Sequence, residues 1–137
     1  MVFNNENKST VLNVKLERAK GDGIIDDTLI FKQILDVAQN SAAIQVYIPT
    51  GTYWITEELV IFSNTTIFAD TNAQIIRDQP GYLLINGYKN TQLEYPPSKF
   101  TRYNGNRNIS IYRGIWNGNG INQKSKVSIF YFGHDLT

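Results

Sequence analysis

From Val11 to Leu16 (Val-Leu-Asn-Val-Lys-Leu) apolar and polar side chains alternate once Val11 is passed, the period-2 pattern of a strand with one buried face. Lys20-Gly21-Asp22-Gly23 breaks the pattern with two glycines free to take positive φ. The period then changes. Ile30, Phe31, Ile34, Leu35 and Ala38 fall on one helical face and predict an amphipathic helix that ends near Asn40-Ser41. Asp26, Asp27 and Thr28 stand just ahead of it, where short acceptor side chains satisfy free N–H groups and oppose the helix dipole. No second helix is predicted.

The rest of the chain reads as short strands separated by tight turns. Ile44–Ile48 is rich in β-formers and stops at Pro49-Thr50-Gly51. Further β-prone stretches cover residues 53–55, 59–62, 65–68, 74–76, 83–85, 109–112, 114–116 and 127–130, with Asn, Asp, Gly and Ser between them. Two stretches resemble each other: Asn64-Thr65-Thr66-Ile67-Phe68 and Asn108-Ile109-Ser110-Ile111-Tyr112 each place an Asn before a strand that ends in Ile and an aromatic residue. Ile67 and Ile111 are 44 residues apart (111 − 67), which reads as two steps of about 22, inside the window of repeat architectures. The pattern favours a β-solenoid narrowly over a sandwich or an open antiparallel sheet.

Composition narrows the function classes. The 137 residues suffice for one domain with a core, and a hydrophobic share of 42% fits a folded chain. Thirteen basic and twelve acidic residues leave a net charge of +1 with no basic run, which argues against nucleic acid as a partner. The absence of cysteine removes disulfides, thiolate metal sites and a cysteine nucleophile. Met1–Thr10 is polar and lacks the apolar core of a secretory signal, and no apolar run is long enough for a membrane span. Asn-x-Ser/Thr matches at Asn7, Asn64 and Asn108 are read as chance in a chain without a signal.

One ordered set of residues is more specific. Asn13-Val14-Lys15, Ala19-Lys20-Gly21-Asp22-Gly23, Asp26-Asp27-Thr28, the helix, Val46-Tyr47-Ile48-Pro49-Thr50-Gly51-Thr52-Tyr53 and Ser63-Asn64-Thr65-Thr66-Ile67 resemble the N-terminal signature of the pectate-lyase superfamily. That family includes polysaccharide lyases, glycoside hydrolases, and phage tailspike and appendage proteins. The resemblance implies a mainly β chain: a right-handed single-stranded parallel β-helix whose end is capped by the one α-helix. Residues 1–10 are then a polar tail, 11–43 a strand, turn and capping helix, and 44–137 coils with a long loop at 86–106. Residues 132–137 read as the start of another coil, so the expectation is a chain cut mid-repeat, with apolar surface near Val127, Ile129, Phe130 and Phe132 driving self-association. The implied function is the N-terminal scaffold of a polysaccharide-processing or glycan-binding protein. A tailspike depolymerase leads, with a non-catalytic virion or adhesion module, or a fragment of a bacterial lyase or hydrolase, as alternatives. The implied partners are a polysaccharide or cell-surface glycan, further copies of the chain (trimers in a tailspike) or other virion proteins, in a virion or outside the cell. No cofactor, metal, nucleic acid or membrane is expected.

Candidate chemistry is sparse. Asp26-Asp27 could divide acid and base roles, but a helix start accounts for both. Asp22, Asp26 and Asp27 lack the spacing and closing Glu of an EF-hand calcium loop. Gly21-Asp22-Gly23 lacks the Gly-Lys-Ser/Thr ending of a phosphate loop and is read as a turn. Together with Pro49 and Gly51 these residues form the structural motif. His134 and Asp135 are adjacent on an expected strand and so face opposite ways, unlike a catalytic relay. Catalytic carboxylates, by the resemblance, belong further along a longer solenoid, and this chain alone is expected to be inactive. The 86–106 loop carries Tyr88, Tyr95, Phe100 and Tyr103 with Arg102, Lys89 and Lys99, and Pro96-Pro97 stiffens its middle. Rings and cations on a long loop suit sugar contact, with Tyr88, Tyr95, Phe100, Arg102 and Tyr103 as the candidates; packing over the solenoid is the plainer alternative.

Overall fold

The computed structural model describes residues 10–40, 43–86, 107–119 and 130–131. They wind through four coils. The first holds β1 (Thr10–Asn13), β2 (Asp22–Asp26) and α1 (Thr28–Asp36), which tightens into a 3-10 turn at Val37–Asn40. The second holds β3 (Ile44–Ile48), β4 (Gly51–Ile55) and β5 (Leu59–Ile61). The third holds β6 (Thr65–Ala69), β7 (Ala73–Arg77) and β8 (Leu84–Asn86), and the fourth β9 (Ile109–Tyr112), β10 (Ile115–Asn117) and β11 (Phe130–Tyr131). Each strand pairs in parallel with its counterpart one coil away, giving sheets β1-β3-β6-β9, β2-β4-β7-β10 and β5-β8-β11. Among the described residues the first coil has strands on two sides. Its third side is α1, packed against β5.

Alternation along each strand builds the core. Ile44, Val46 and Ile48 point inward and stack in register on Thr65, Ile67 and Ala69. On the second sheet Tyr53 lies over Ile75, and on the third Leu59 lies over Leu84, all fully buried. Phe31, Ile34 and Leu35 of α1 close the core at the first coil, where Phe31 meets the Tyr53 ring edge-on at 5.5 Å. Each such side chain contributes about 1.5–3 kcal/mol on burial, so the helix face covers core that would otherwise meet water.

The structure differs from the pattern in three places. β1 stops at Asn13 because the Asn13 carboxamide accepts the N–H groups of Lys15 at 2.9 Å and Leu16 at 3.3 Å and turns the chain. The stretch read only as a turn continues into a strand, β2, whose pairing with β4 shifts register between Asp22 and Asp26. Asp22 fixes that bulge by accepting the N–H groups of Ile24 and Ile25, both at 2.9 Å. Finally, Ile67 and Ile111 are partners in adjacent strands, so their separation is one step and not two. The preceding step, Ile44 to Thr65, takes 21 residues (65 − 44). A coil absorbs extra residues at a corner without altering the rung beside it, since contacts run only to neighbouring coils. The resemblance between the two stretches marks that shared rung: Asn64 and Asn108 both sit at φ 62° and their side chains are joined at 2.9 Å.

Candidate functional site

The family-like residues gather at the corner where the first sheet passes into the second. Asp27 is 1% exposed, and its carboxylate accepts the N–H groups of Lys20 at 2.8 Å and Gly21 at 2.9 Å. Gly21 stands at φ 61°, and its carbonyl accepts the Thr52 N–H of the next coil at 2.9 Å. A side chain at Gly51 would place its Cβ 2.9 Å from that same carbonyl, so the two coils approach here at glycine contact. Lys15 reaches across to donate to the Thr50 carbonyl at 2.9 Å. Tyr53 donates to the Pro49 carbonyl at 2.7 Å; burial, then the Asp27 carboxylate, push its hydroxyl far above the ordinary tyrosine range, so it remains a donor.

The two aspartates divide their work differently from the expectation. Asp27 occupies the N-cap position of α1 but makes no side-chain cap bond, because its carboxylate turns back to the Gly21 loop. Asp26 supplies the cap, accepting the Thr28 N–H at 2.8 Å and the Thr56 hydroxyl at 2.9 Å. Desolvation raises the Asp26 carboxyl, but hydrogen bonds from Thr28 and Thr56 outweigh it and leave the group below its usual range. Asp27 is committed to two backbone donors, and Asp26 to one backbone donor and one hydroxyl.

Beyond this corner, the outer face of the first sheet carries a column the sequence reading missed. Tyr47, Phe68 and Tyr112 occupy one register line on β3, β6 and β9, and each is exposed. Phe68 and Tyr112 form an offset stack, centroids 4.8 Å apart and planes 10° from parallel. Tyr47 is held by its hydroxyl, which donates to Asp70 at 2.9 Å. The other Asp70 oxygen accepts the Thr50 N–H at 2.9 Å and the Thr50 hydroxyl at 3.1 Å. Hydrogen bonds from Tyr47 and Thr50, with the Arg113 charge nearby, hold the Asp70 carboxyl below its ordinary value. The same contact pushes the Tyr47 hydroxyl up. Along the corner, successive coils therefore present Lys15, Thr50, Asp70 and Arg113 beside the aromatic column.

The loop residues assigned to sugar contact, Tyr88, Tyr95, Phe100, Arg102 and Tyr103, lie outside the described residues, as do His134 and Asp135. Among the described residues no group of three or more His, Cys, Asp or Glu side chains could hold a metal ion, and no helix is long and apolar enough to cross a membrane. The sequence did carry a signal for the aromatic column. Val46-Tyr47, Ile67-Phe68 and Ile111-Tyr112 each place an aliphatic residue followed by an aromatic one at or near the end of a strand.

Comparison with known proteins follows the same fold. The family model described as rhamnogalacturonase A/epimerase, pectate lyase-like, matches residues 11–129. Plasmin and fibronectin-binding protein A of Streptococcus pneumoniae is 30% identical over 113 aligned residues, covering 76% of this chain and 16% of that protein. The structure of PfbA, a surface adhesin of Streptococcus pneumoniae, is similar with a TM-score of 0.62 at 27% identity, over 81% of this chain and 25% of that one. The A-module of the Azotobacter vinelandii mannuronan C-5 epimerase AlgE4 gives a TM-score of 0.66 at 19% identity, over 90% of this chain and 34% of that one. This chain thus spans about a third or less of each of these relatives. With its three parallel sheets and the match over residues 11–129, the chain belongs to the rhamnogalacturonase A/epimerase, pectate lyase-like family of right-handed parallel β-helices.

Proposed function

We propose that this chain is a glycan-recognition stretch of a β-helical surface protein and that it binds through the outer face of its first sheet. The observation that carries the reading is the exposed register line Tyr47, Phe68 and Tyr112, flanked by Thr50, Asp70 and Arg113. Partly exposed rings offer apolar contact to sugar C–H groups, while the held Thr50 hydroxyl and Asp70 carboxylate and the exposed Arg113 guanidinium offer hydrogen bonds. Binding suits this stretch better than catalysis. Asp27 is occupied by backbone donors, Asp26 by the Thr28 N–H and the Thr56 hydroxyl, and the Asp70 carboxyl is held below its ordinary value, whereas a glycosidase acid needs a raised pKa. Any lyase, hydrolase or epimerase chemistry of a longer protein then rests on residues elsewhere. An extracellular setting fits the similarity to a pneumococcal surface adhesin; the virion placement and tailspike role draw no support from the relatives named above. The expected self-association rests on residues 127–132, of which only Phe130 and Tyr131 are described.

A second reading, adhesion to host protein, is favoured by the 30% identity to a protein named for binding plasmin and fibronectin. Affinity electrophoresis through gels containing polysaccharides, with immobilised fibronectin and plasmin in parallel, separates the two. We expect retardation by at least one polysaccharide and its loss in the Phe68→Ser/Tyr112→Ser double variant. Retention on fibronectin or plasmin alone would replace the glycan reading with the protein one.

A further inference from the structure

Resting on that glycan-binding reading, we infer that Asp70 is a charge filter, selecting polysaccharides whose acidic sugars are separated by neutral ones over polymers acidic at every sugar. The inference comes from the order of charges along the corner. Parallel strands in adjacent coils stand about 4.8 Å apart, so the corner residues form a row running along the solenoid. Lys15 springs from the first coil, and its ammonium is fixed on the Thr50 carbonyl at the level of the second. Thr50 follows in the second coil, its N–H and hydroxyl both turned to Asp70 in the third. Arg113 closes the row in the fourth, exposed and close enough to act on the Asp70 charge, while no ion pair joins them among the described residues.

Because the Lys15 ammonium lies on the Thr50 carbonyl of the second coil, the order of charges is cation, anion, cation, with the two cations two rungs or about 10 Å apart. An extended pyranose chain lying along the aromatic column advances by about one rung per sugar, so an alternating polymer repeats every two rungs. A polymer with a carboxylate on each sugar then sets one of them against Asp70, where like charges repel. A polymer with neutral sugars between its acids meets Lys15 and Arg113 with carboxylates and meets Asp70 with hydroxyl donors. Asp70 cannot swing away, because Tyr47 holds one of its oxygens and Thr50 the other. The charge that excludes is therefore fixed in place by the ring that binds.

The test uses the full chain and three probes in affinity electrophoresis: polygalacturonate (acidic at every sugar), hyaluronan (alternating acidic and neutral) and dextran (neutral). Wild type is expected to bind hyaluronan more tightly than polygalacturonate and dextran. Asp70→Asn, which keeps the shape and one acceptor oxygen, should tighten polygalacturonate about three- to tenfold, as expected for removing a surface like-charge contact, and so shift the polygalacturonate-to-hyaluronan affinity ratio by at least that factor. Arg113→Gln should weaken hyaluronan. A thermal melt confirms that each variant is folded, and raising salt on the wild type supplies a readout without substitution. Screening should bring the affinities for hyaluronan and polygalacturonate together. If polymers bind but their ranking ignores both Asp70→Asn and salt, the filter is wrong and the glycan reading stands. If none of the three is bound by any variant, both fall.

Discussion

Replacing Asp27 by Asn removes a single charge without changing shape, and the structure says why this should cost far more than the same change at Asp26. The Asp27 oxygens face two fixed backbone donors, Lys20 N–H at 2.8 Å and Gly21 N–H at 2.9 Å, at a residue only 1% exposed. An amide keeps one acceptor and turns two hydrogens toward the other N–H. No rotation satisfies both donors. Hydrogen bonds to a charged acceptor are worth about 1.5–3 kcal/mol, and a donor left without a partner costs about 1–3 kcal/mol, so Asp27→Asn should lose about 2–4 kcal/mol. Asp26 differs because one of its two partners is the Thr56 hydroxyl. That hydroxyl can rotate to donate to Thr28 Oγ1, 3.1 Å away, and accept from an Asn amide instead. Asp26→Asn should therefore cost about 1 kcal/mol or less, in the range of a weakened cap. Urea denaturation followed by tryptophan fluorescence measures both. With a slope of about 1–3 kcal/mol/M for a small protein, Asp27→Asn should lower the midpoint by about 1–2 M at an unchanged slope. An Asp27→Asn midpoint matching wild type, or Asp26→Asn proving the costlier change, would refute the hydrogen-bond assignment.

Two further outcomes follow from the same corner. Gly51→Ala should destabilise by about 1–3 kcal/mol in the same assay, since its Cβ would lie 2.9 Å from the Gly21 carbonyl and must push two coils apart; an unchanged midpoint would show that the coils are not in contact there. Acid should also unfold the chain in a particular window: Asp22, Asp26 and Asp70 all titrate below their ordinary values when folded, so their contribution is present above about pH 4 and is lost as pH falls through the lowered values. Stability measured from pH 6 to pH 2 should fall chiefly below pH 4, less steeply in Asp70→Asn, and an equal slope in the variant would remove Asp70 from the account.

The elements were legible in the sequence and their neighbours were not. Phe31, Ile34 and Leu35 announce a helix because one side must be apolar every three or four residues, and α1 buries those side chains. Ile44, Val46 and Ile48 announce a strand by the same logic at period two. Neither pattern says which strand lies beside which. Register in a solenoid depends on how many residues each corner holds, and here one step takes 21 residues and the next 44. Halving the longer step hid the direct pairing of Ile67 with Ile111, and with it the column of Tyr47, Phe68 and Tyr112. The division between Asp26 and Asp27 was illegible for a related reason: either could cap α1, and what separates them is the Gly21 loop folding back over Asp27.

The residues that carry the family signature and those proposed to bind glycan meet in one physical chain. Asp27 holds the Gly21 loop, the Gly21 carbonyl sits where only glycine fits at Gly51, and the Thr50 carbonyl next to it anchors Lys15. Thr50 in turn orients Asp70, and Asp70 pins Tyr47. Every member of that series joins one coil to itself or to the next, so tightening the corner for stability also fixes the positions of one cation, one anion and one ring on the outer face. The arrangement explains how a solenoid with corners of unequal length can still present a regular surface. From the second coil on, length is absorbed away from this corner, and backbone groups of Gly21, Thr50 and Thr52 hold it across the first three coils. A binding face built on such a corner needs little ordering when a ligand arrives, which is the condition under which modest surface contacts yield useful affinity.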